Sequence, residues 1–341
     1  MKNVGILTFW GVPNYGGWAQ AYALNKVVKE TLCDCNAEHI AYLNQHHQDY
    51  YFKNDEVLQN SFEYSWDIIP HTDRLDAVSL ENKHFNTIVT GSDSIWEFTA
   101  DSTDDDIHLI GNNLNTDHLV AYAASAGISA KKNAEKSFVT DGLKKYESIS
   151  VRDLGTKNMV EKLIGIEAPV VLDPSLLYDF ASDPIFPDPY FENYIMVYGI
   201  IWDDAYIKRL KAYAKNHGFR LISAGYKNDW CDVCLELSEL RAVEWVGLVK
   251  NASCIAASMF HGLMMGVSMN KRIFFNQHGY VKNRSNTLIK LLDIPYYNSS
   301  DGDEAALDKV FEEDIWENKN SAKLSELRKQ SLDVLKTMLV G

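Results

Sequence analysis

The chain has 341 residues, of which 46% are hydrophobic and 23% are charged, and its formal net charge at pH 7 is −14. This composition is typical of a globular protein, and the length suits two domains better than one core. The acidic balance argues against nucleic-acid binding and against a polybasic membrane-surface role, because both need a positive field. It leaves room for a local basic pocket that binds an anionic substrate.

The first residues lack the basic region, long apolar stretch and small-residue cleavage site of a signal peptide. No run approaches the roughly 20 apolar residues that span a bilayer. The sequence therefore predicts a cytoplasmic protein with no integral membrane segment. The five cysteines form the pairs Cys33/Cys35 and Cys231/Cys234 and a lone Cys254. The odd number and the tight first pair favour free thiols over a zinc site.

The N-terminal half alternates between short apolar runs and segments with helical spacing. Buried strands are predicted at residues 4–10, 37–42, 85–90, 119–124, 148–151 and 170–172, and helices at 19–28, 136–146 and 154–163. Residues 46–84 are polar and aromatic, and a solvated loop is the favoured interpretation. Residues 101–106 carry four aspartates, which indicates a solvated loop more than a metal site.

A proline-containing segment at residues 179–192 is predicted to be a linker. A second alternation follows, with a loop at 226–234, strands at 194–200, 220–224, 254–257 and 272–275, and helices at 204–216, 239–250, 287–292 and 304–311. The predicted fold is therefore α/β with two parallel sheets. We expect domains at residues 1–180 and 193–320, and a helix at 321–341 that packs back across the boundary.

A glycine-containing loop follows the first predicted strand. Asn14, Tyr15, Gly16 and Gly17 lie in it, just before the first helix. Glycines let backbone approach a ligand closely, and the helix N-terminus supplies N–H donors for a phosphate or carboxylate. The spacing matches neither the dinucleotide fingerprint nor the Walker loop, so a simple tight turn remains an alternative.

Polar and aromatic side chains follow the strand at residues 85–90. Ser92, Asp93 and Trp96 provide a hydroxyl, a carboxylate and an indole at a strand end. Such a set suits sugar hydroxyls, because the ring can stack and the carboxylate can accept two hydrogen bonds. The alternative is an Asx-type turn that caps a helix.

Two arginines are candidate anion ligands. Arg152 follows the strand at residues 148–151, and Arg284 precedes an apolar helix. A guanidinium can bind carboxylate or phosphate through two parallel hydrogen bonds. The alternative for Arg152 is a structural salt bridge to Asp153 or Asp173.

Residues 249–275 have the pattern of a strand, a turn, a helix and a second strand. Gly262 permits a tight turn after the strand at 254–257. Ligands of parallel sheets collect at the carboxyl ends of strands, where the next helix points free N–H groups outward. Ser258 and His261 are expected there, and a core histidine with a satisfied hydrogen bond is the alternative.

Six short motifs follow one another along the chain. They are NYGGWAQAYAL at 14–24, GSDSIW at 91–96, YAAS at 122–125, SVRD at 150–153, VLDPSLL at 171–177 and FHG at 260–262. In this order they resemble the motifs of the polysaccharide pyruvyl transferase family, and the resemblance extends from about residue 4 to about residue 292. No single motif is decisive, but six in the correct order are specific.

The resemblance implies two Rossmann-like domains with parallel sheets facing a cleft, as in the glycosyltransferase-B arrangement. It also implies transfer of pyruvate from phosphoenolpyruvate to a sugar as a cyclic ketal, during capsule, exopolysaccharide or cell-wall glycan biosynthesis. The donor would bind the C-terminal domain and the acceptor the N-terminal domain, with no cofactor and no metal. The acceptor could be lipid-linked or nucleotide-linked, and both a monomer and a homo-oligomer stay open.

The resemblance also suggests a role for each candidate residue. The expected donor-binding residues are Arg152, Arg284, Ser258 and Gly262. The expected acceptor-binding residues are Asn14, Tyr15, Gly16, Gly17, Gln20, Ser92 and Trp96. His261 is expected either to donate a proton or to bind the leaving phosphate, while Asp93 or Asp173 would accept the proton of a sugar hydroxyl.

The chain departs from the family motifs at a few positions. Ser258 and Met259 stand where many relatives have Asp-Ser and others have an arginine two residues before the histidine. Ser94 and Glu97 replace the usual glutamine and asparagine of the second motif. Two other functions are therefore considered: a nucleotide-sugar-dependent glycosyltransferase or epimerase on the same scaffold, and a non-catalytic glycan-binding protein.

Overall fold

The computed structural model of the protein describes residues 2–53, 55–99, 104–279, 281–312 and 321–340. The chain divides into an N-terminal unit, Met1–Tyr178 with Leu327–Gly341, and a C-terminal unit, Asp179–Glu326. Within the described ranges, no helix is both long enough and apolar enough to cross a membrane. Of the four aspartates predicted to lie in a loop, Asp101 falls outside the described residues.

The described strands of the N-terminal unit form one parallel sheet in the order β2-β1-β3-β4-β5. They are β1 (Lys2–Leu7), β2 (Cys35–His39), β3 (Phe85–Thr90), β4 (Thr116–Ala124) and β5 (Ser148–Val151). The order reverses between β1 and β3, which is therefore the topological switch point of this sheet. The strand predicted at residues 170–172 is wrong, because only one bridge, Val151 to Val170, joins this segment to β5. Pro169 and Pro174 flank the segment and lack N–H groups for a ladder.

The helices of this unit are more numerous than the sequence indicated, and the first of them begins earlier. They are α1 (Tyr15–Thr31), α2 (Gln45–Phe52), α3 (Glu56–Asp67), α4 (Ala77–Asn82), α5 (Ala130–Asn133), α6 (Ser137–Leu143) and α7 (Leu154–Ile164). The loop assignment of residues 46–84 is wrong, because α2, α3 and α4 fill most of it. Asn44, Asp55 and Asp76 cap these three helices, and each accepts a hydrogen bond from the N–H three residues later.

The C-terminal unit holds a second parallel sheet in the order β10-β9-β6-β7-β8. Its strands are β6 (Tyr194–Tyr198), β7 (Arg220–Ala224), β8 (Val233–Leu235), β9 (Cys254–Ala257) and β10 (Arg272–Phe275), and its helices are α8 (Asp204–His217), α9 (Ala242–Asn251), α10 (Phe260–Ser268), α11 (Val281–Leu292) and α12 (Glu304–Phe311). The end of the predicted loop at 226–234 instead enters β8, which pairs with β7. The switch point lies between β6 and β9. Two parallel-sheet α/β units were predicted, and this prediction is confirmed.

The N-terminal sheet is covered on both faces, which explains why its strands are almost continuously apolar. On one face Ile88 and Ile149 pack into a cluster with residues of α6 and α7. On the other face Val4 and Val120 pack with α1 and with the last helix, α13 (Ser321–Val340). Leu335 is one of the α13 residues buried in that cluster.

A buried histidine in this core makes the stability of the N-terminal unit depend on pH. His39 ends β2 and is fully buried, and its Nε2 lies 2.9 Å from the Ala21 carbonyl oxygen, an acceptor that requires a proton on Nε2. Its Nδ1 has no partner among the described residues, so a second proton would add an uncompensated buried charge. Burial therefore lowers the pKa of His39 to about 4.

We expect His39→Gln to flatten the pH dependence of unfolding. Between the folded pKa of about 4 and the unfolded value of about 6.5, the unfolded state binds more protons, so stability rises with pH. Removing one such group lowers that slope by up to about 1.4 kcal/mol per pH unit. Urea denaturation across this range measures it, with His46→Gln at an exposed position as the control. Equal slopes in wild type and His39→Gln would contradict the prediction.

Candidate functional site

The switch point of the N-terminal sheet is filled by a buried polar network. Ser92 follows β3, and its hydroxyl donates to Gln20 Oε1 over 2.5 Å. Gln20 Nε2 donates to Thr8 Oγ1 over 3.1 Å, and the Thr8 hydroxyl donates to the Ser92 carbonyl over 3.1 Å. All three side chains are buried. Two predicted acceptor residues thus lie where α/β sheets bind ligands, but they hydrogen-bond to each other.

The predicted glycine loop is part of a helix. Asn14 is the N-cap of α1, and its Oδ1 accepts a hydrogen bond from the Gly17 N–H over 2.9 Å. Tyr15, Gly16 and Gly17 form the first turn and are buried. The loop assignment of these three residues is therefore wrong, since the Asn14 cap starts the helix before the glycines. Their expected role in acceptor binding stays a prediction.

Arg152, Asp93 and Asp173 form a buried ion triad in the N-terminal unit. Arg152 Nη2 donates to Asp93 Oδ1 and Nη1 donates to Asp173 Oδ2, both over 2.8 Å. The Arg152 and Asp173 side chains are 2% and 1% exposed, while that of Asp93 is 12% exposed. The salt bridge predicted as the alternative for Arg152 is thus present, and it involves Asp173. Asp153 instead caps α7.

Trp96 lies inside the core and not on a surface where a sugar could stack. Its side chain is fully buried, and its indole N–H donates to the Leu109 carbonyl over 2.9 Å. The Tyr146 ring packs against it with centroids 5.9 Å apart. Packing and this hydrogen bond account for Trp96, so we leave it out of the acceptor site considered below.

The switch point of the C-terminal sheet joins the ends of β6 and β9. The Ser258 N–H donates to the Tyr198 carbonyl over 3.1 Å, and its hydroxyl donates to the Ile200 carbonyl over 2.5 Å. Gly199 has a φ of 141°, and an added Cβ would overlap the Ser258 hydroxyl. Ser258 therefore fixes the backbone at this edge of the sheet, and Gly199 permits the close approach.

His261 lies in the first turn of α10, directly after this switch point, and is 8% exposed. Met259 occupies the N-cap position and has no side-chain oxygen, so it cannot cap α10 as Asn14 caps α1. An added Cβ at Gly262 would lie 2.8 Å from the Ala257 Cβ and 2.9 Å from the Tyr198 ring. Gly262 therefore lets the helix N-terminus pack closely on β9 and β6, an arrangement suited to anion binding.

Sequence reasoning missed a second histidine at this edge of the sheet. His278 follows β10, the strand next to β9, and is buried. Burial lowers the pKa of His278, and a hydrogen bond with the Ser258 backbone partly opposes this effect. Its place three residues after a strand end was the available signal. Arg284 lies half-buried in α11 of the same unit.

A cavity in the N-terminal unit was also missed. It has a volume of about 430 Å³ and is lined by residues that follow β1 and β2 and by α2 and α3. Sequence periodicity did not indicate these helices, because they are short and mostly polar. Its walls include segments that had been assigned to a solvated loop.

The described residues provide little support for metal or thiol chemistry. Among them, no group of three or more His, Cys, Asp or Glu side chains is placed to hold a metal ion. The five cysteines are free, as predicted. Burial raises the pKa of the Cys231 thiol, the first cysteine of the Cys-x-x-Cys pair, and this disfavours the reactive thiolate.

Two solved structures that contain UDP share this fold. The S. aureus MnaA–UDP structure has a TM-score of 0.58 at 12% sequence identity, covering 99% of this chain and 97% of that chain. The Methanocaldococcus jannaschii UDP-GlcNAc 2-epimerase in complex with UDP-GlcNAc and UDP has a TM-score of 0.50 at 11% identity, covering 100% of both chains. At such identities the likeness defines the class of fold, Rossmann-like and glycosyltransferase-B-like, and nothing further.

A comparison with protein-family models identifies the family of this chain. The model of the polysaccharide pyruvyl transferase family matches residues 14–275. The chain therefore belongs to the polysaccharide pyruvyl transferase family, as its motifs had suggested. A search of curated proteins found no match.

Proposed function

We propose that this protein transfers pyruvate from phosphoenolpyruvate to a sugar as a cyclic ketal, during capsule, exopolysaccharide or cell-wall glycan biosynthesis in the cytoplasm. The observation that carries the proposal is the family match over residues 14–275. The position of Ser258, His261 and Gly262 at a sheet switch point supports it, because ligands of such sheets bind there.

The donor is assigned to the C-terminal unit. Phosphoenolpyruvate carries a phosphate and a carboxylate, so its site needs N–H groups or cations. The first turn of α10 supplies backbone N–H groups beside His261, and its N-cap residue has no side-chain oxygen to compete for them. Arg284, on α11, is the cation that we assign to the donor.

The reaction requires one proton donor and a base. Carbon 3 of phosphoenolpyruvate takes up a proton and becomes a methyl group, carbon 2 forms bonds to two sugar oxygens, and its bond to the phosphate oxygen breaks. The two sugar hydroxyls lose one proton each. Carbon 3 gains one proton, and the other leaves with the phosphate. We assign the proton donation, or the binding of the leaving phosphate, to His261.

Within the N-terminal triad, Asp93 is the better candidate for the base. Its side chain is 12% exposed, whereas that of Asp173 is 1% exposed and bonds Arg152 and Ser175. Both terminal nitrogens of Arg152 are held by carboxylates, so we assign Arg152 to orienting Asp93 in place of binding the donor. Asp173 then completes the ion triad.

Thermal unfolding with phosphoenolpyruvate, inorganic phosphate or UDP-GlcNAc tests the donor. We expect phosphoenolpyruvate at about 100 times its dissociation constant to add about 2.7 kcal/mol, a midpoint shift of about 5 °C. Arg284→Gln should weaken this shift. Lys282→Gln, which removes one charge from an exposed position of α11, is the matched control and should keep it.

The second candidate is a nucleotide-sugar enzyme. Its basis is the shared fold, since a UDP-GlcNAc 2-epimerase has a TM-score of 0.50 with this chain and fold alone does not separate the two activities. A midpoint shift with UDP-GlcNAc and none with phosphoenolpyruvate would reject pyruvyl transfer and support this candidate.

A further inference from the structure

The cavity of the N-terminal unit has the size and position of a ligand site. Its volume of about 430 Å³ falls within the roughly 300–1,000 Å³ of small-molecule pockets. Trp10 and Gly11 follow β1, and Asn44 follows β2, so the cavity opens at the carboxyl edge of the sheet. β1 lies beside β3, whose end carries Ser92 and Asp93.

The cavity walls combine aromatic rings with side-chain amides. Trp10, which is 4% exposed, and the half-buried Phe52 line it, whereas Trp66 borders it but is fully buried and presents no ring surface to a ligand. Gln48 and Gln59 line it as well, and each amide can donate to one hydroxyl and accept from its neighbour. Asn44 also lines it, but its amide caps α2 and donates to Asp106. Apolar ring surface together with paired donors and acceptors suits the C–H face and the hydroxyls of a sugar.

One donor in the wall lacks an acceptor. Trp10 is 4% exposed, and within the described ranges its indole N–H has no hydrogen-bond partner. The Trp66 indole, by contrast, donates to the Val12 carbonyl over 3.1 Å. A buried unpaired N–H destabilises a fold by about 1–3 kcal/mol unless something accepts its hydrogen bond. This N–H is also shielded from solvent, so a ligand in the cavity reaches it only if the Trp10 side chain shifts.

The charges in the wall argue against a phosphorylated ligand. Arg74 is the cation of the described lining, and it pairs with Glu63, another lining residue. Asp76 adds a second carboxylate and caps α4. The wall therefore offers a phosphate no uncommitted positive charge, and two carboxylates would repel it.

We propose that this cavity binds an uncharged sugar residue of the acceptor glycan. The proposal rests on the proposed function, and it names the substrate class on the acceptor side. Any phosphate or nucleotide that carries the acceptor lies outside the cavity. The lining amides, and the pairing of Arg74 with Glu63 among the described lining residues, together favour hydroxyl-rich neutral ligands.

Ligand-observed NMR with the purified full chain tests the cavity without phosphoenolpyruvate. The probes are the methyl glycosides of glucose, galactose, mannose, N-acetylglucosamine and N-acetylmannosamine, with glucose 6-phosphate and glucuronate as charged counter-probes. We expect at least one neutral glycoside to bind and neither counter-probe to do so. Gln59→Ala and Trp10→Phe should each weaken binding about threefold to tenfold.

Asn60→Ala is the matched control. It removes an exposed amide next to Gln59 on the same helix, outside the cavity lining, and should bind like wild type. Failure of every neutral glycoside to bind overturns the proposal. So does tighter binding of a charged counter-probe, or neutral binding that neither Gln59→Ala nor Trp10→Phe changes.

The donor assay separates this proposal from the proposed function. Stabilisation by phosphoenolpyruvate without glycoside binding leaves pyruvyl transfer standing and removes the cavity assignment. Glycoside binding that depends on Gln59, with no response to phosphoenolpyruvate, keeps the sugar site and rejects the donor.

Discussion

Arg152→Met is expected to lower the free energy of unfolding of the N-terminal unit by about 3–5 kcal/mol. Arg152 donates to Asp93 and Asp173 over 2.8 Å each, and its side chain is 2% exposed. Removing the guanidinium leaves the carboxylates of Asp93 and Asp173 without their shared cation, and both are largely shielded from water. Methionine fills much of the same volume, so the loss reports charge more than a cavity. Urea denaturation, with hydrogen exchange at β5 to identify the unit that opens, measures it.

A surface pair in the same unit is the control. Lys157 pairs with Glu167 over 2.7 Å, with side chains 25% and 77% exposed. Lys157→Met should change stability by only about 0–1 kcal/mol, because solvent screens the pair. Adding Asp93→Asn to Arg152→Met should recover part of the loss by removing one uncompensated charge. If Arg152→Met is as mild as the control, the triad does not stabilise the unit.

The parallel strands were the most predictable part of the fold. Residues 85–90, 148–151, 254–257 and 272–275 form strands with the predicted bounds. Strands of a parallel sheet are covered on both faces, so they stand out as short apolar runs between polar segments. The pairing that sets β2 beside β1, however, comes from contacts distant in sequence.

Short polar helices were the least predictable part. α2 and α3 lack a wide apolar face. One residue of α2 and three residues of α3 are buried. The available signals were the side-chain caps at Asn44, Asp55 and Asp76. The cavity depends on these helices, so the sequence could not reveal it.

The candidate site was predictable in position and not in contacts. Periodicity indicated that Ser92 and Ser258 lie at strand ends. That these ends are the switch points of their sheets follows from the strand order, which only the structure shows. The contacts of the other candidate residues depend on burial in the folded chain. Trp96 is a core residue because its indole reaches a backbone carbonyl, and Arg152 meets Asp93 across 59 positions of sequence. A single sequence carries no record of such pairs.

His261→Asn is expected to lower turnover by about 10²- to 10⁴-fold, the usual contribution of a general acid. His261 lies in the first turn of α10, and in the proposed function its imidazole donates a proton to carbon 3 or a hydrogen bond to the leaving phosphate. Turnover is measured as phosphate release from phosphoenolpyruvate with a glycoside that binds the cavity. In D₂O the ketal methyl group should gain deuterium, because carbon 3 takes its new proton from solvent-exchanged groups.

The two roles of His261 predict different binding. If His261 donates the proton, His261→Asn keeps the thermal stabilisation by phosphoenolpyruvate while turnover falls. If it binds the leaving phosphate, the stabilisation falls as well, because the ligand loses a direct contact. His217→Asn, at an exposed position on α8 in the same unit, is the control and should match wild type. Full turnover in His261→Asn would remove His261 from the chemistry, and full cellular function without any turnover would indicate a glycan-binding protein.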